Sequence, residues 1–405
     1  MKVLLINNCF FRRGGSEAVF FGTADLLREM GHEVVFFSME DVHNIHTNSP
    51  EYFVGRGGRL SQMKDYFNNA GAAKKIEEIV KKEKPDIAHA HLLWGGIGAS
   101  IISVLHKHGI PIVHTAHDYR MVCPAYTFRN GQGEVCEKCK GGQFLECVRG
   151  RCGKGSLVQS VLMAAEMKYR NCRWHPAKEL DGIIYVSQFA RDKHIEIDPL
   201  FAKTKSMVLY NCTRKGSKDE KGRGNYFLYF GRLSHEKGVE MVIDAFKQMP
   251  GQRLKVVGTG PLEESLKAKA AGCTQIEFLG FKQGEELLSL VRNAQFVIVP
   301  SQWYENNPMT IVESYSLGTP VIGSDLGGIP EIIKEGATGF VFRHDSIESL
   351  MYEINIANEI SNQTYFNMTK STRHFYDNHF SEDGYSEKLV SFYKDVIANR
   401  QGRND

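Results

Sequence analysis

Short apolar runs alternate with stretches of helical period along this chain, and they do so in two series. In the first series the runs fall at residues 3–6, 34–37, 87–90, 112–115 and 182–186. Helical periods lie between them at 16–30, about 97–108 and 157–169; Ser16 caps the first and Gly31 stops it. In the second series the runs fall at 226–230, 254–257, 276–279, 296–299 and 321–324. Helical periods at 238–249, 261–271, 285–294 and from 330 separate or follow them, and an amphipathic period at 385–397 comes last. Such alternation buries its strands as parallel sheets covered by helices on both faces. With 405 residues, two cores are expected rather than one.

The fold class expected is α/β, with two Rossmann-like domains and a ligand at the carboxyl ends of their strands. The polar, Gly- and Lys-rich segment 213–224 reads as the linker. The expected bounds are 1–212, 213–380, and a C-terminal helix in 381–405 that packs back on the first domain. An aperiodic stretch rich in Gly, Cys and Lys, 120–155, reads as an insertion in the first domain.

A net charge of +3 is too small to argue for nucleic acid. Residues 1–210 nevertheless hold 28 Lys and Arg against 22 Asp and Glu, so the first half is positive and the second negative. Basic clusters stand at Arg12-Arg13, at Arg56 with Arg59, and at Lys74, Lys75, Lys81, Lys82 and Lys84. They read as solvated faces, with an anionic membrane surface as a fitting partner. No run reaches the ~18 apolar residues of a membrane span. Met1-Lys2 leads into a strand rather than a signal sequence. The expectation is a cytoplasmic protein whose membrane contact is peripheral.

The densest chemistry lies in S-Q-W-Y-E-N-N-P-M-T-I-V-E, Ser301 to Glu313. Asn307 reads as the N-cap of a helix, Pro308 as its first residue and Gly318 as its end. The amides of Met309, Thr310 and Ile311 then form an anion site. Glu305 precedes it, and Glu313 lies on the helix at i, i+4 from Met309. An anion site between two hydroxyl-seeking carboxylates suits a nucleotide sugar.

Five further strand-end segments join it. In G-R-L-S-H-E-K-G, Arg232 and Lys237 are spaced to clamp a diphosphate. Gly14-Gly15 follows the first strand, where backbone can approach phosphate. His117, in H-T-A-H-D, can hydrogen-bond a sugar hydroxyl or a developing charge. The turns at Thr259 and Phe281 are placed to line a base pocket by their backbones, while the Phe281 ring itself reads first as core.

Five of the nine cysteines, Cys123, Cys136, Cys139, Cys147 and Cys152, fall in the insertion. Cys136 and Cys139 make a C-x-x-C knuckle, and Cys123 with Cys147 or Cys152 completes a four-thiolate set for structural zinc. Loop thiols and a redox pair are the competing readings.

Taken in order, G-G-S-E, H-T-A-H-D, G-R-L-S-H-E-K-G, E-N-N-P-M-T-I-V-E, G-T-P-V-I-G-S and G-G-I-P-E resemble the retaining glycosyltransferases of family 4, over essentially the whole chain. The resemblance implies the GT-B fold, two Rossmann-like domains facing each other across a deep cleft. It implies that Arg232 and Lys237 neutralise the donor diphosphate and that Glu313 binds ribose. Glu305 would contact the transferred sugar, His117 would sit beside its reacting face, and the Gly15 backbone would approach the phosphates. Asn307, Met309 and Thr310 fall in the same donor loop.

No metal is needed for catalysis in that family, and retention would proceed by front-face attack without an enzyme nucleophile. Asn306-Asn307-Pro308 replaces the usual Phe-Gly, and Tyr210-Asn211-Cys212 the usual Pro-Asn-Gly. With the cysteine insertion, which would wall the acceptor side, these departures resemble a branch of capsule, exopolysaccharide and O-antigen transferases. The expected partners are a UDP- or GDP-sugar and a glycan or lipid-linked glycan, with no nucleic acid. Two alternatives compete: a glycoside hydrolase using Glu305 and Glu313, and a zinc-dependent nucleic-acid module.

Overall fold

A computed structural model describes residues 1–216 and 223–401, without the side chains of residues 59, 60 and 401. Residues 217–222 of the expected linker, and the Arg59 side chain, lie outside the described set. The chain divides into two compact units, Met1–Leu209 with the segment from Tyr385, and Tyr210–Gly384.

The first unit is built on a seven-stranded sheet: β1 Lys2–Asn7, β2 Glu33–Met39, β3 Glu51–Val54, β4 Ile87–Ala90, β5 Ile112–Ala116, β6 Gly182–Tyr185 and β7 Ser206–Val208, in the order β3-β2-β1-β4-β5-β6-β7. Every pairing is parallel. The order reverses at β1 and β4, so the segments after these strands diverge and leave a crevice at the carboxyl edge. β1 is buried from Val3 onward and β4 and β5 are buried throughout, as strands covered on both faces are.

The second unit repeats the plan with β8 Phe227–Phe230, β9 Leu254–Val257, β10 Ile276–Gly280, β11 Phe296–Val299, β12 Val321–Ser324 and β13 Gly339–Phe342, ordered β10-β9-β8-β11-β12-β13 and again parallel. Its reversal falls between β8 and β11. Each unit is thus Rossmann-like, as expected. One core of the second unit packs Phe227, Val242, Phe246, Phe296 and Leu350 on one side of the sheet, and another packs Leu228, Val297, Ile311, Tyr315 and Tyr376 on the other.

Helix Glu382–Gln401 completes the first unit. Tyr393 is fully buried, its hydroxyl 2.5 Å from His89 Nδ1. Arg400 donates to Asp181 at 2.6 Å. A side chain at Gly182 would press within 3.0 Å of Phe392 and Val396, so β6 and this helix are in close contact.

Some local expectations change. The first helix is Gly15–Glu29 with Gly14 at its N-cap, and Ser16 bonds Glu17 instead of capping. The insertion holds a 3-10 turn, Lys140–Gly142, a short helix, Leu145–Arg149, and one isolated bridge, Arg129 to Val135. The helix after it extends over Leu157–Arg173.

Candidate active site

In the second unit, β8 ends at Phe230 and the chain turns through Arg232 and Lys237 into helix Val239–Lys247. Gly238 makes the turn fit: its φ is +68°, and a Cβ there would lie 1.8 Å from the Pro300 carbonyl oxygen. The turn is therefore pressed against the end of β11, where Gln302 donates its amide to Glu236 at 2.8 Å. Gly327 does the same from the β12 side, at φ +65°, with the Glu305 carbonyl 2.3 Å from any Cβ.

These two close approaches bring Lys237 and Glu305 together. Lys237 Nζ donates to Glu305 Oε1 at 2.5 Å, and Ser301 Oγ donates to the same oxygen at 2.8 Å. The ammonium also lies 5.2 Å from the centre of the Trp303 ring. The Glu305 side chain is 9% exposed and Lys237 30%. Burial pushes the Glu305 carboxyl up, but Lys237 and Ser301 outweigh it and hold it below the ordinary carboxylate range. Arg232 is exposed, with no side-chain partner among the described residues. The sequence reading kept Lys237 for phosphate and Glu305 for sugar; in the structure each is the other's counterion.

The helix after Glu305 is Met309–Ser316, with Pro308 at the N-cap. Asn307 does not cap it. Its Oδ1 accepts the Asn211 backbone amide at 2.9 Å and its carbonyl accepts Asn211 Nδ2 at 3.1 Å. Asn307 is 6% exposed and braces the loop against Asn211. The Ile311 amide bonds the Pro308 carbonyl at 3.0 Å, leaving those of Met309 and Thr310 for an anion. Gly318, at φ +75°, ends the helix as expected.

Glu313 has no carboxylate partner among the described residues, and burial pushes its pKa up to about 7. Thr259 is exposed; its carbonyl holds the Leu233 amide at 3.0 Å, which couples the β9 and β8 turns. Phe281 is 65% exposed, so its ring is not core.

In the first unit, Gly15 is the first residue of its helix, immediately after β1's loop. His117 directly follows β5. Its Nε2 lies 2.9 Å from His91 Nδ1 and the two rings stack at 5.1 Å. Burial pulls the His117 pKa down to about 4, so the ring is neutral at pH 7. His91 was missed by the sequence reading; its signal is H-x-H at the end of β4, His89 and His91.

The thiols of the insertion gather in one neighbourhood. Cys139 and Cys147 are buried together with Cys152 against them. The neighbouring Cys152 thiol raises the pKa of Cys147, and Cys147 lowers that of Cys152. Burial pushes Cys123 and Cys139 up to about 12. Among the described residues no three His, Cys, Asp or Glu side chains are arranged to hold a metal ion. The expected set Cys123, Cys136, Cys139 and Cys147 therefore remains a proposal for zinc.

A family model described as "Glycosyltransferase Family 4" matches residues 13–213, and one described as "Glycosyl transferases group 1" matches 213–375. This chain is a glycosyltransferase of the family 4 type. The transferase is 24% identical over 366 residues to an uncharacterized 42.6 kDa protein of the cps region of Klebsiella pneumoniae, covering 82% of this chain and 88% of the relative. It is 26% identical to the sulfoquinovosyl transferase SQD2 of Arabidopsis thaliana over 81% of this chain, spanning 60% of that protein's length. Among solved structures, Anabaena HepE in complex with UDP aligns over 98% of this chain and 100% of its own, with TM-score 0.69 and 17% identity. Sucrose-phosphate synthase from Thermosynechococcus elongatus aligns over 98% and 99%, with TM-score 0.71 and 15% identity. Both likenesses support the GT-B fold class. The hydrolase and nucleic-acid alternatives find no support in these relatives.

Proposed function

We propose that this transferase moves a hexose, with retention of configuration, from a UDP-sugar to a glycan or lipid-linked glycan in capsule or exopolysaccharide synthesis. The observation that carries the reading is the grouping at the β8 and β11 ends: the free Arg232, the Lys237–Glu305 pair, and the open amides of Met309 and Thr310. That group offers positive charge and N–H donors to a diphosphate, with a carboxylate beside it for sugar hydroxyls. The UDP in the HepE complexes supports uracil as the base, a cps-region relative and the colanic acid transferase WcaL support a surface polysaccharide, and GDP is the second choice.

In the reaction proposed, the acceptor oxygen attacks the anomeric carbon from the face the phosphate leaves. The C–O bond to acceptor forms as the C–O bond to phosphate breaks, and the acceptor proton passes to the departing phosphate oxygen. Arg232, Lys237 and the helix amides stabilise that phosphate without a metal. Glu313 binds ribose and Glu305 orients the sugar. The neutral His117 accepts or donates a hydrogen bond beside the reacting face, and the Gly15 backbone approaches phosphate. On this reading the enzyme works in the cytoplasm.

Thermal-shift screening against UDP- and GDP-hexoses tests the donor, since a ligand stabilises the fold according to its affinity. A UDP-hexose should raise Tm in the wild type and not in Arg232→Ala. No shift with any nucleotide sugar would defeat the proposal. Zinc in the insertion is proposed on the thiol pattern alone; about one zinc per purified chain supports it, and metal-free protein refutes it.

A further inference from the structure

Two cross-strand pairs join the ends of β4 and β5. His89 and His91 stand two residues apart, on one face of their strand's end, and Thr115 and His117 do the same on the next strand. His89 Nε2 lies 2.7 Å from Thr115 Oγ1, and His91 Nδ1 lies 2.9 Å from His117 Nε2. The pairs are in contact, since the rings of His89 and His91 lie 4.3 Å apart. Tyr393 anchors the inner pair through His89 Nδ1. In the outer pair, the His91 backbone amide bonds the Ile6 carbonyl at 2.9 Å, and the Phe20 ring packs on the His91 imidazole at 5.4 Å. His91 is thus held by β1, by the first helix and by His89, and it is fully buried.

The hydrogen bond between the two outer rings can run either way, and counting protons decides it. Burial lowers the pKa of both imidazoles, so each carries one proton at pH 7. If His117 Nε2–H were the donor, His91 would have to keep its own proton on Nε2. That nitrogen is buried and has no hydrogen-bond partner among the described residues. A buried N–H without an acceptor is the costlier orphan and is rare in folded proteins. With the His91 proton on Nδ1 instead, it is donated to His117 Nε2, and the nitrogen lacking a partner is a bare one. His117 then carries its own proton on Nδ1.

We infer that His91 is a positioning residue: by donating Nδ1–H to His117 Nε2 it fixes the His117 ring in the Nδ1–H tautomer, so that His117 meets the reacting face as a hydrogen-bond donor and not as a base. A fixed donor favours negative charge gathering on an oxygen beside it. In the reaction proposed above the acceptor proton passes to the departing phosphate, so no base is asked of His117. The effect on transfer rests on the role given there to His117; the tautomer does not.

Nitrogen-15 NMR of the full chain, labelled at histidine only, reads the tautomer directly, and the spectrum of His117→Asn identifies the ring. A bare Nε2 and a protonated Nδ1 are expected for His117 in the wild type at pH 7. His91→Phe keeps a ring but cannot donate, and should shift His117 toward the Nε2–H form that free histidine prefers. It should lower kcat by about 10–100-fold, the range seen for partners that fix the tautomer of a metal-bound histidine, with KM for the donor little changed. His91→Asn sets an amide N–H near the place of Nδ1 and should restore both the Nδ1–H form and most of kcat. Melting curves check that each variant folds. A wild-type His117 protonated on Nε2, or on both nitrogens, overturns the inference without any variant. So does a folded His91→Phe with wild-type kcat, or a folded His91→Asn as slow as His91→Phe. If no nucleotide sugar supports transfer, the donor reading fails, while the NMR result still decides this inference.

Discussion

Removing Lys237 should hurt the fold more than neutralising Glu305, although both break the same pair. In Lys237→Ala the carboxylate that remains is 9% exposed and loses its cationic partner, while Ser301 still donates to it. Stranding a charge in a fully buried pair costs ~3–5 kcal/mol. Lys237 is 30% exposed, so water already screens the pair, and about 2 kcal/mol is the better figure. In Glu305→Gln the group that remains is an ammonium on a flexible stem that reaches water, and the amide can still accept from Ser301. That substitution should cost about 1 kcal/mol or less. At about 2–4 °C per kcal/mol, the second unit's Tm should fall by about 4–8 °C for Lys237→Ala and by less than half of that for Glu305→Gln.

The pH dependence sharpens the test. In the wild type the lowered Glu305 pKa gives stability above its unfolded value, lost as pH falls through the folded pKa. Without Lys237, burial dominates and the folded pKa rises. Folded protein then binds more protons than unfolded, so Lys237→Ala loses stability as pH rises and its deficit shrinks toward pH 5. Melting curves of both variants from acid to mildly alkaline pH make the comparison. Equal losses, or a Lys237→Ala deficit that grows toward acid, would refute the reasoning. Both variants should also lose transfer.

Three further outcomes are expected. Glu313, with its folded pKa raised to about 7, withdraws stability as pH climbs from the ordinary carboxylate range through 7. Glu313→Gln should therefore melt higher than wild type at pH 8, by about 1–2 kcal/mol, while binding donor more weakly; a lower melting point there contradicts the assignment. Asn307→Ala strands the Asn211 amide, at a cost of ~1–3 kcal/mol, and should raise KM for donor more than it lowers kcat. Gly238→Ala combines a positive φ with the Pro300 carbonyl at 1.8 Å, so a loss of about 2–3 kcal/mol and of activity is expected in melting and transfer assays.

The parallel strands were legible because burial on both faces makes them continuous apolar runs. β4, β9, β11 and β12 fall at the expected residues. β3 and β7 escaped because they are edge strands with a polar residue at their start, Glu51 and Ser206, while β13 is an apolar edge strand that follows a turn and was passed over. Helix Ala70–Glu83 was hidden under its lysines, although Ala72, Ile76, Ile79 and Val80 mark its buried side. The site residues were legible by type and by position at strand ends. Their pairing was not: Lys237 and Glu305 are 68 residues apart, Asn211 and Asn307 are 96, and only packing of the β8, β11 and β12 turns brings such groups into contact. Asn307 looks like a cap by local rules, but a distant amide claims its oxygen.

Because Tyr385, Leu389, Tyr393 and Val396 are buried in the first unit, that unit is discontinuous in the chain. During synthesis its sheet strands emerge first, yet the helix that covers Gly182 and His89 emerges only after the second unit. The second unit has all its strands by Phe342 and can close while the first still waits. A fragment cut after Leu209 would leave the ribosome with β6 uncovered and His89 short of its tyrosine. The finished first unit therefore records that translation has passed Val396.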